Sequence, residues 1–244
     1  MRNIKLTISY DGTNYFGWQI QPQFKTVQQT IEKTLSLILQ EKIRISGASR
    51  TDAKVHAKHQ IANFHTNKKF TCSKLLMSLN KLLPSDIRIL KVENVCNDFH
   101  SQKNAVSKTY RYYIYNAPVS SPFYRNYSWH IPYYMDINLL NTESAYLIGE
   151  KNFFSFTGQK ASSKTFERII YEAYWCKKEK FLVFTVTGNG FLKNMVRKIV
   201  GSLTAICNKN EEKHFIQYLL SVKDRQEGKY CAPPQGLYLE NIKY

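Results

Sequence analysis

Acidic side chains are scarce in this 244-residue chain: 18 Asp and Glu stand against 35 Lys and Arg, a formal charge of +17. A cationic surplus on that scale points toward nucleic acid or another anionic surface as partner. A lysine-rich solvated face is the structural alternative. Cysteine provides neither a disulfide framework nor a zinc site. The five thiols (Cys72, Cys96, Cys176, Cys207 and Cys231) are odd in number, widely spaced and never in a Cys-x-x-Cys pair, which suits a reducing cytoplasm. No apolar run approaches the roughly 20 residues that span a bilayer. Met1-Arg2-Asn3 leads straight into Ile4-Lys5-Leu6-Thr7-Ile8 without an apolar leader. The expectation is a cytoplasmic protein with no membrane partner.

Aromatic residues, by contrast, are plentiful: 17 Tyr, 14 Phe and 3 Trp. Many sit beside cations, as in Lys108-Thr109-Tyr110-Arg111-Tyr112-Tyr113. Aromatic faces next to positive charge suit unpaired bases and phosphates together, although tyrosine also fills strands because it packs well there. The apolar pattern predicts a strand through Ile4, Leu6 and Ile8, then a polar loop from Asp11-Gly12 to Gln21-Pro22. A helix follows through Val27, Ile31, Leu35 and Leu39 with Thr26 as N-cap. Ile43 and Ile45 read as a strand, as do residues 60–65 and 87–95, and a helix through Leu75 and Leu79 stops at Pro84. In the second half Tyr110, Tyr112 and Ile114 alternate as a strand, ahead of a Pro- and Tyr-rich loop from Pro118 to Tyr134 and a short helix over 139–147. Residues 169–175 and 181–186 form a hairpin. A helix carries Leu192, Val196, Ile199 and Leu203, another carries Phe215 and Leu219, and Leu237-Tyr238-Leu239 ends the chain as a strand. Each half runs strand, helix, paired strands, helix, strand. The fold class is α+β with mainly antiparallel sheet, in two subdomains over residues 1–103 and 104–244.

One polar segment, Ser49 to Ala57, stands between two strand-like runs. In extended chain, Arg50 and Asp52 point to the same face. The guanidinium could then keep Asp52 ionised and ready as nucleophile or general base; a loop ion pair or a turn cap is the commoner reading of such a pair. His56, His59 and His65 with Asp52 match no standard metal spacing, so a metal-dependent nuclease is the weaker reading and no metal is expected. Tyr110 could stack on a base or pack in a core. Lys193 and Arg197, four apart, would share a helix face and point either into a cleft or to solvent.

Five fragments in order change the balance. Tyr10-Asp11-Gly12-Thr13 with Gly17-Trp18-Gln19 and Gln21-Pro22 resembles the opening signature of the tRNA pseudouridine synthase A family. Arg50-Thr51-Asp52-Ala53 with Val55-His56-Ala57 resembles its catalytic motif. Lys108-x-Tyr110-Arg111-Tyr112, Gly190-Phe191-Leu192 with Met195-Val196-Arg197, and Ala232-Pro233 with Gly236-Leu237 follow in the family's order. The resemblance implies two α/β subdomains flanking a basic central cleft, usually in a homodimer. It implies isomerisation of uridine to pseudouridine in the tRNA anticodon stem-loop, at positions 38, 39 and 40, without metal or organic cofactor. It implies Asp52 as the essential carboxylate, Tyr110 stacked on the target base, and Arg50 and Arg197 in the substrate site. The chain departs from the pattern at Ser49 and Lys54, where the family usually has glycine, and at Ser101-Gln102, where it usually has Ala-Arg. Those departures motivate the alternative of a non-catalytic RNA-binding protein on the same scaffold.

Overall fold

The computed structural model describes residues 1–158 and 165–244. The chain divides into two compact units, Met1–Val106 with Tyr238–Tyr244, and Ser107–Leu237. The architecture is α+β with largely antiparallel pairing.

The first unit is built on β1 (Arg2–Tyr10), α1 (Val27–Leu39), the two-residue β2 (Ser46–Gly47), β3 (His56–Thr66), α2 (Cys72–Leu82), β4 (Ile87–Val95) and the final strand β10 (Leu237–Lys243). β1 is central, with β3 and β4 antiparallel on its two sides. Its alternating Ile4, Leu6 and Ile8 are fully buried, each stabilising the core by about 1.5–3 kcal/mol. Thr26 caps α1 by accepting the Gln29 N–H, and the helix buries Val27, Ile31 and Leu35. Thr71 caps α2 in the same way. Pro84 stops that helix through its neighbour: Leu83 is extended, with ψ 144°.

Two expectations for this unit change. Ile43 and Ile45 are buried but form no strand, because their N–H groups donate to side chains, Ile43 to Ser36 Oγ and Ile45 to Glu32 Oε1. The last strand, read from sequence with residues 104–244, lies in the first unit. It pairs parallel with β3, Tyr238 opposite His56 and Leu239 opposite Ala57.

The second unit holds β5 (Ser107–Asn116), β6 (Trp129–Ile131), α3 (Ile137–Ala145), β7 (Gly149–Asn152), β8 (Glu167–Lys178), β9 (Phe181–Gly188), α4 (Met195–Cys207) and α5 (Phe215–Val222). Its sheet runs β5–β9–β8–β7, with β6 parallel on β5. β8 and β9 are the expected hairpin, turned at Glu179 in the left-handed region (φ 54°). The unforeseen β6 lies inside the Pro- and Tyr-rich loop. α4 begins three residues later than the apolar pattern suggests. Asn194, its N-cap, has φ 63°, so Leu192 and Lys193 precede the helix and Lys193 does not share a helical face with Arg197.

Candidate active site

Asp52 sits in a turn before β3, closed by the Val55 N–H donating to the Asp52 carbonyl at 3.2 Å. Its side chain is half-buried, Thr51 is buried and Arg50 is exposed. This turn does not stand alone. The loop after β1 wraps it: the Trp18 N–H donates to the Thr51 carbonyl at 3.1 Å and the Lys54 N–H to the Tyr15 carbonyl at 3.1 Å. The Tyr10 hydroxyl meets Thr51 Oγ1 at 2.7 Å.

Two glycines make that approach possible. A β-carbon on Gly12 would lie 2.6 Å from the Val55 carbonyl carbon, and one on Gly17 (φ 86°) would collide with the Thr51 carbonyl oxygen and lie 3.0 Å from the Asp52 carbonyl carbon. Real β-carbons essentially never come closer than 3.0 Å to such atoms. The signature at residues 10–18 therefore builds the cradle of the Asp52 turn.

Further groups hold this cradle that sequence reasoning passed over. The Tyr15 ring is buried and its hydroxyl donates to Asp86 Oδ1 at 2.6 Å. Burial, then the bond to Asp86, raises its pKa far above the tyrosine range, so the hydroxyl stays a donor. Gln60 brackets Ser49, accepting its N–H at 3.2 Å and donating to its carbonyl at 2.6 Å. The hint for Gln60 was a polar residue opening an apolar run; Tyr15 stood in a polar loop with no signal of its role. The two family departures differ in kind. Ser49 keeps an ordinary negative φ, whereas Lys54 is held at φ 64°, the left-handed region that glycine enters without strain. The loop retains the backbone shape a glycine would take and places a lysine in it. Ser101 is fully buried, its N–H on Asn63 Oδ1 and its Oγ on the Ser46 carbonyl, while Gln102 is exposed.

In the second unit Tyr110 lies on β5 opposite Val186. It is 5% exposed and meets the Phe191 ring edge-on at 5.1 Å. Arg197 is on the first turns of α4. Its Nε donates to the Ala232 carbonyl at 2.8 Å, and the Ala232 N–H returns a bond to the Arg197 carbonyl at 3.0 Å. Tyr112, two residues along β5 from Tyr110, donates its hydroxyl to the adjoining Pro233 carbonyl at 2.8 Å. Burial raises the Tyr112 pKa well above the usual range, against the opposing charge of Arg197. A β-carbon on Gly236 would lie 2.6 Å from Tyr112 Cζ, and one on Gly201 would lie 2.8 Å from the backbone at Tyr230 and Cys231. The Ala232–Pro233 and Gly236 fragments thus seat Arg197 and Tyr112. Tyr112 was visible in sequence as a member of the Lys108-x-Tyr110-Arg111-Tyr112 fragment and by its period-two spacing from Tyr110, but neither disclosed its bond to Pro233.

Among the described residues no group of three or more His, Cys, Asp or Glu side chains could hold a metal ion. No helix among them is long and apolar enough to cross a membrane.

Comparison with known proteins fits this arrangement. A family model described as tRNA pseudouridine synthase matches residues 6–106 and 144–244. Those segments contain Arg50, Asp52 and Arg197, while Tyr110 falls between them. Proteins named tRNA pseudouridine synthase A align along the whole chain. One from Thermoanaerobacter sp. (strain X514) is 40% identical over 244 residues, all of both chains. One from Francisella tularensis subsp. mediasiatica is 40% identical over 244 residues, covering 95% of that protein. "tRNA pseudouridine synthase A 1" of Protochlamydia amoebophila is 41% identical over 248 residues, covering all of this chain and 97% of its own. A chain in a solved structure of a Cbf5-Nop10-Gar1 complex aligns with 82% of this chain and 53% of its own, at 12% identity and a TM-score of 0.33, a likeness that carries no argument. With the family model matching residues 6–106 and 144–244 and its full length matched by these relatives, the chain belongs to the tRNA pseudouridine synthase family.

Proposed function

We propose that this enzyme isomerises uridine to pseudouridine in the tRNA anticodon stem-loop, at positions 38, 39 and 40. Asp52 is the catalytic carboxylate, Tyr110 holds the target base, and Arg50 and Arg197 contact the substrate. The observation that carries the reading is the cradle: two glycines and two backbone hydrogen bonds hold the turn bearing Asp52. A carboxylate held in this way can act without reorganising during the reaction.

The reaction breaks the glycosidic bond, turns the uracil and joins carbon 5 to the ribose; the proton from carbon 5 goes to solvent and nitrogen 1, freed from the sugar, takes one up. Electrons balance within the nucleoside, so the chemistry asks for no redox cofactor. The target nucleotide must leave its stack at a cost of a few kcal/mol. Lysine and arginine contacts to phosphates offset that cost, consistent with the net charge of +17. An aromatic ring such as Tyr110 retains the detached base. The enzyme works in the cytoplasm, as a homodimer.

Mapping pseudouridine in tRNA incubated with the protein tests the reading. New pseudouridine confined to positions 38–40 is the expected result. Robust tRNA binding without isomerisation of any uridine would overturn it in favour of a binding protein.

A further inference from the structure

His56 opens β3 immediately after the Asp52–Val55 turn and is 2% exposed. The Tyr238 ring stacks on it with centroids 4.6 Å apart and planes at 24°. One ring nitrogen faces two partners with opposite demands. Nδ1 lies 3.0 Å from the Gly12 N–H, which needs a lone pair there. It also lies 3.1 Å from Asp11 Oδ1, which would need a proton there. One nitrogen cannot meet both at once.

The neighbours favour the lone pair. Asp11 Oδ1 already accepts the Thr13 N–H at 2.9 Å and the Thr13 hydroxyl at 2.5 Å. The Gly12 amide is aimed at Nδ1 from within a buried contact. Gly12 is also the residue whose missing side chain admits the Val55 carbonyl. His56, Gly12 and Val55 therefore close a small ring of contacts, and the turn bearing Asp52 is one side of it.

We propose that His56 is a positioning residue for Asp52. Its neutral ring, protonated on Nε2 and with the lone pair on Nδ1, pins the Gly12 amide and so fixes where the turn ends. This rests on the reading of Asp52 as the catalytic carboxylate.

The test exploits the shapes of two amides. Asparagine at 56 places an acceptor near the position of Nδ1, whereas glutamine places its amide near Nε2 and leaves Gly12 without a partner. Tritium release from tRNA containing 5-tritiated uridine gives kcat and KM for H56N, H56Q and D52N side by side. The expected result for H56Q is a kcat lower by up to about 100-fold, the scale for a displacement near 1 Å, with KM little changed. H56N recovers most of the loss. Equal activities of H56N and H56Q, with D52N inactive, would overturn the proposal for His56 and leave the site reading intact. Full activity of D52N would overturn both. Should H56Q fail to fold, nitrogen NMR of histidine-labelled wild-type protein decides the matter: an unprotonated Nδ1 on His56 at neutral pH is expected, and a protonated one overturns the proposal.

Discussion

Replacing Gly12 by alanine tests the cradle through a single methyl group. The new carbon would start 2.6 Å from the Val55 carbonyl carbon, while ordinary contact begins at 3.4 Å. The loops must part by about 1 Å, because both sides of the clash are backbone. The bond from the Gly12 N–H to His56, now 3.0 Å, would lengthen to about 4 Å and be lost. Stripping a buried pair of its bond costs about 1–3 kcal/mol and overpacking adds about 1–3 kcal/mol. The stiffer unfolded chain returns about 0.4–1 kcal/mol. The net loss is about 2–5 kcal/mol. At about 2–4 °C per kcal/mol for a chain of this length, the melting midpoint falls by about 4–20 °C. The displaced turn lowers kcat by about 100-fold. Gly149→Ala serves as the comparison, since its β-carbon would meet nothing within 4 Å and only its φ of 95° resists. That variant costs about 1–2 kcal/mol and keeps its isomerase activity. Thermal melts read with tritium release decide the matter. A Gly12→Ala protein that melts within about 2 °C of wild type and isomerises tRNA at the wild-type rate would refute the cradle.

Lys54→Gly should stabilise the protein by about 0.5–1 kcal/mol, because relief of the left-handed φ of 64° outweighs the entropy glycine loses on folding. A fall in melting temperature would contradict that. Stability should also decline in alkali. Burial raises the pKa of Tyr112 and Tyr244, burial and then the Asp86 bond raise that of Tyr15, and burial pushes the Cys207 thiol up to about 11. In the unfolded chain these groups ionise near their ordinary values of roughly 10 for tyrosine and 8.5 for cysteine. The folded state holds more protons from about pH 8 upward, so this contribution is complete only below that pH and is lost as pH rises. Urea midpoints from pH 8 to 11 should fall; a rise would show the sign to be wrong.

Much of the fold was legible because local signals agreed with tertiary demand. Alternation in Ile4, Leu6 and Ile8 became a buried central strand, and Thr26 capped the helix at Val27 as its side-chain chemistry suggested. The pattern misled where a buried residue owed its burial to loop packing. Ile43 and Ile45 are apolar and buried, yet side chains on α1 take their hydrogen bonds. Leu192 is buried just ahead of α4, so apolar spacing alone ran the helix three residues too far back. At the site, residue types and order marked the fragments, but the reason for their company lies between them. No single-chain pattern discloses that Gly17 must admit the backbone of Asp52, or that a lysine at 54 takes a left-handed φ. The docking of Tyr238 beside His56 is likewise a parallel pairing between residues far apart in the chain.

The most direct test of the central claim is tritium release by Asp52→Asn. The substitution removes the negative charge while keeping the size of the side chain and the backbone bonds of the turn. The account predicts a folded protein that binds tRNA with near wild-type affinity and releases tritium from 5-tritiated uridine no faster than the enzyme-free control. Release at the wild-type rate by that variant would contradict it.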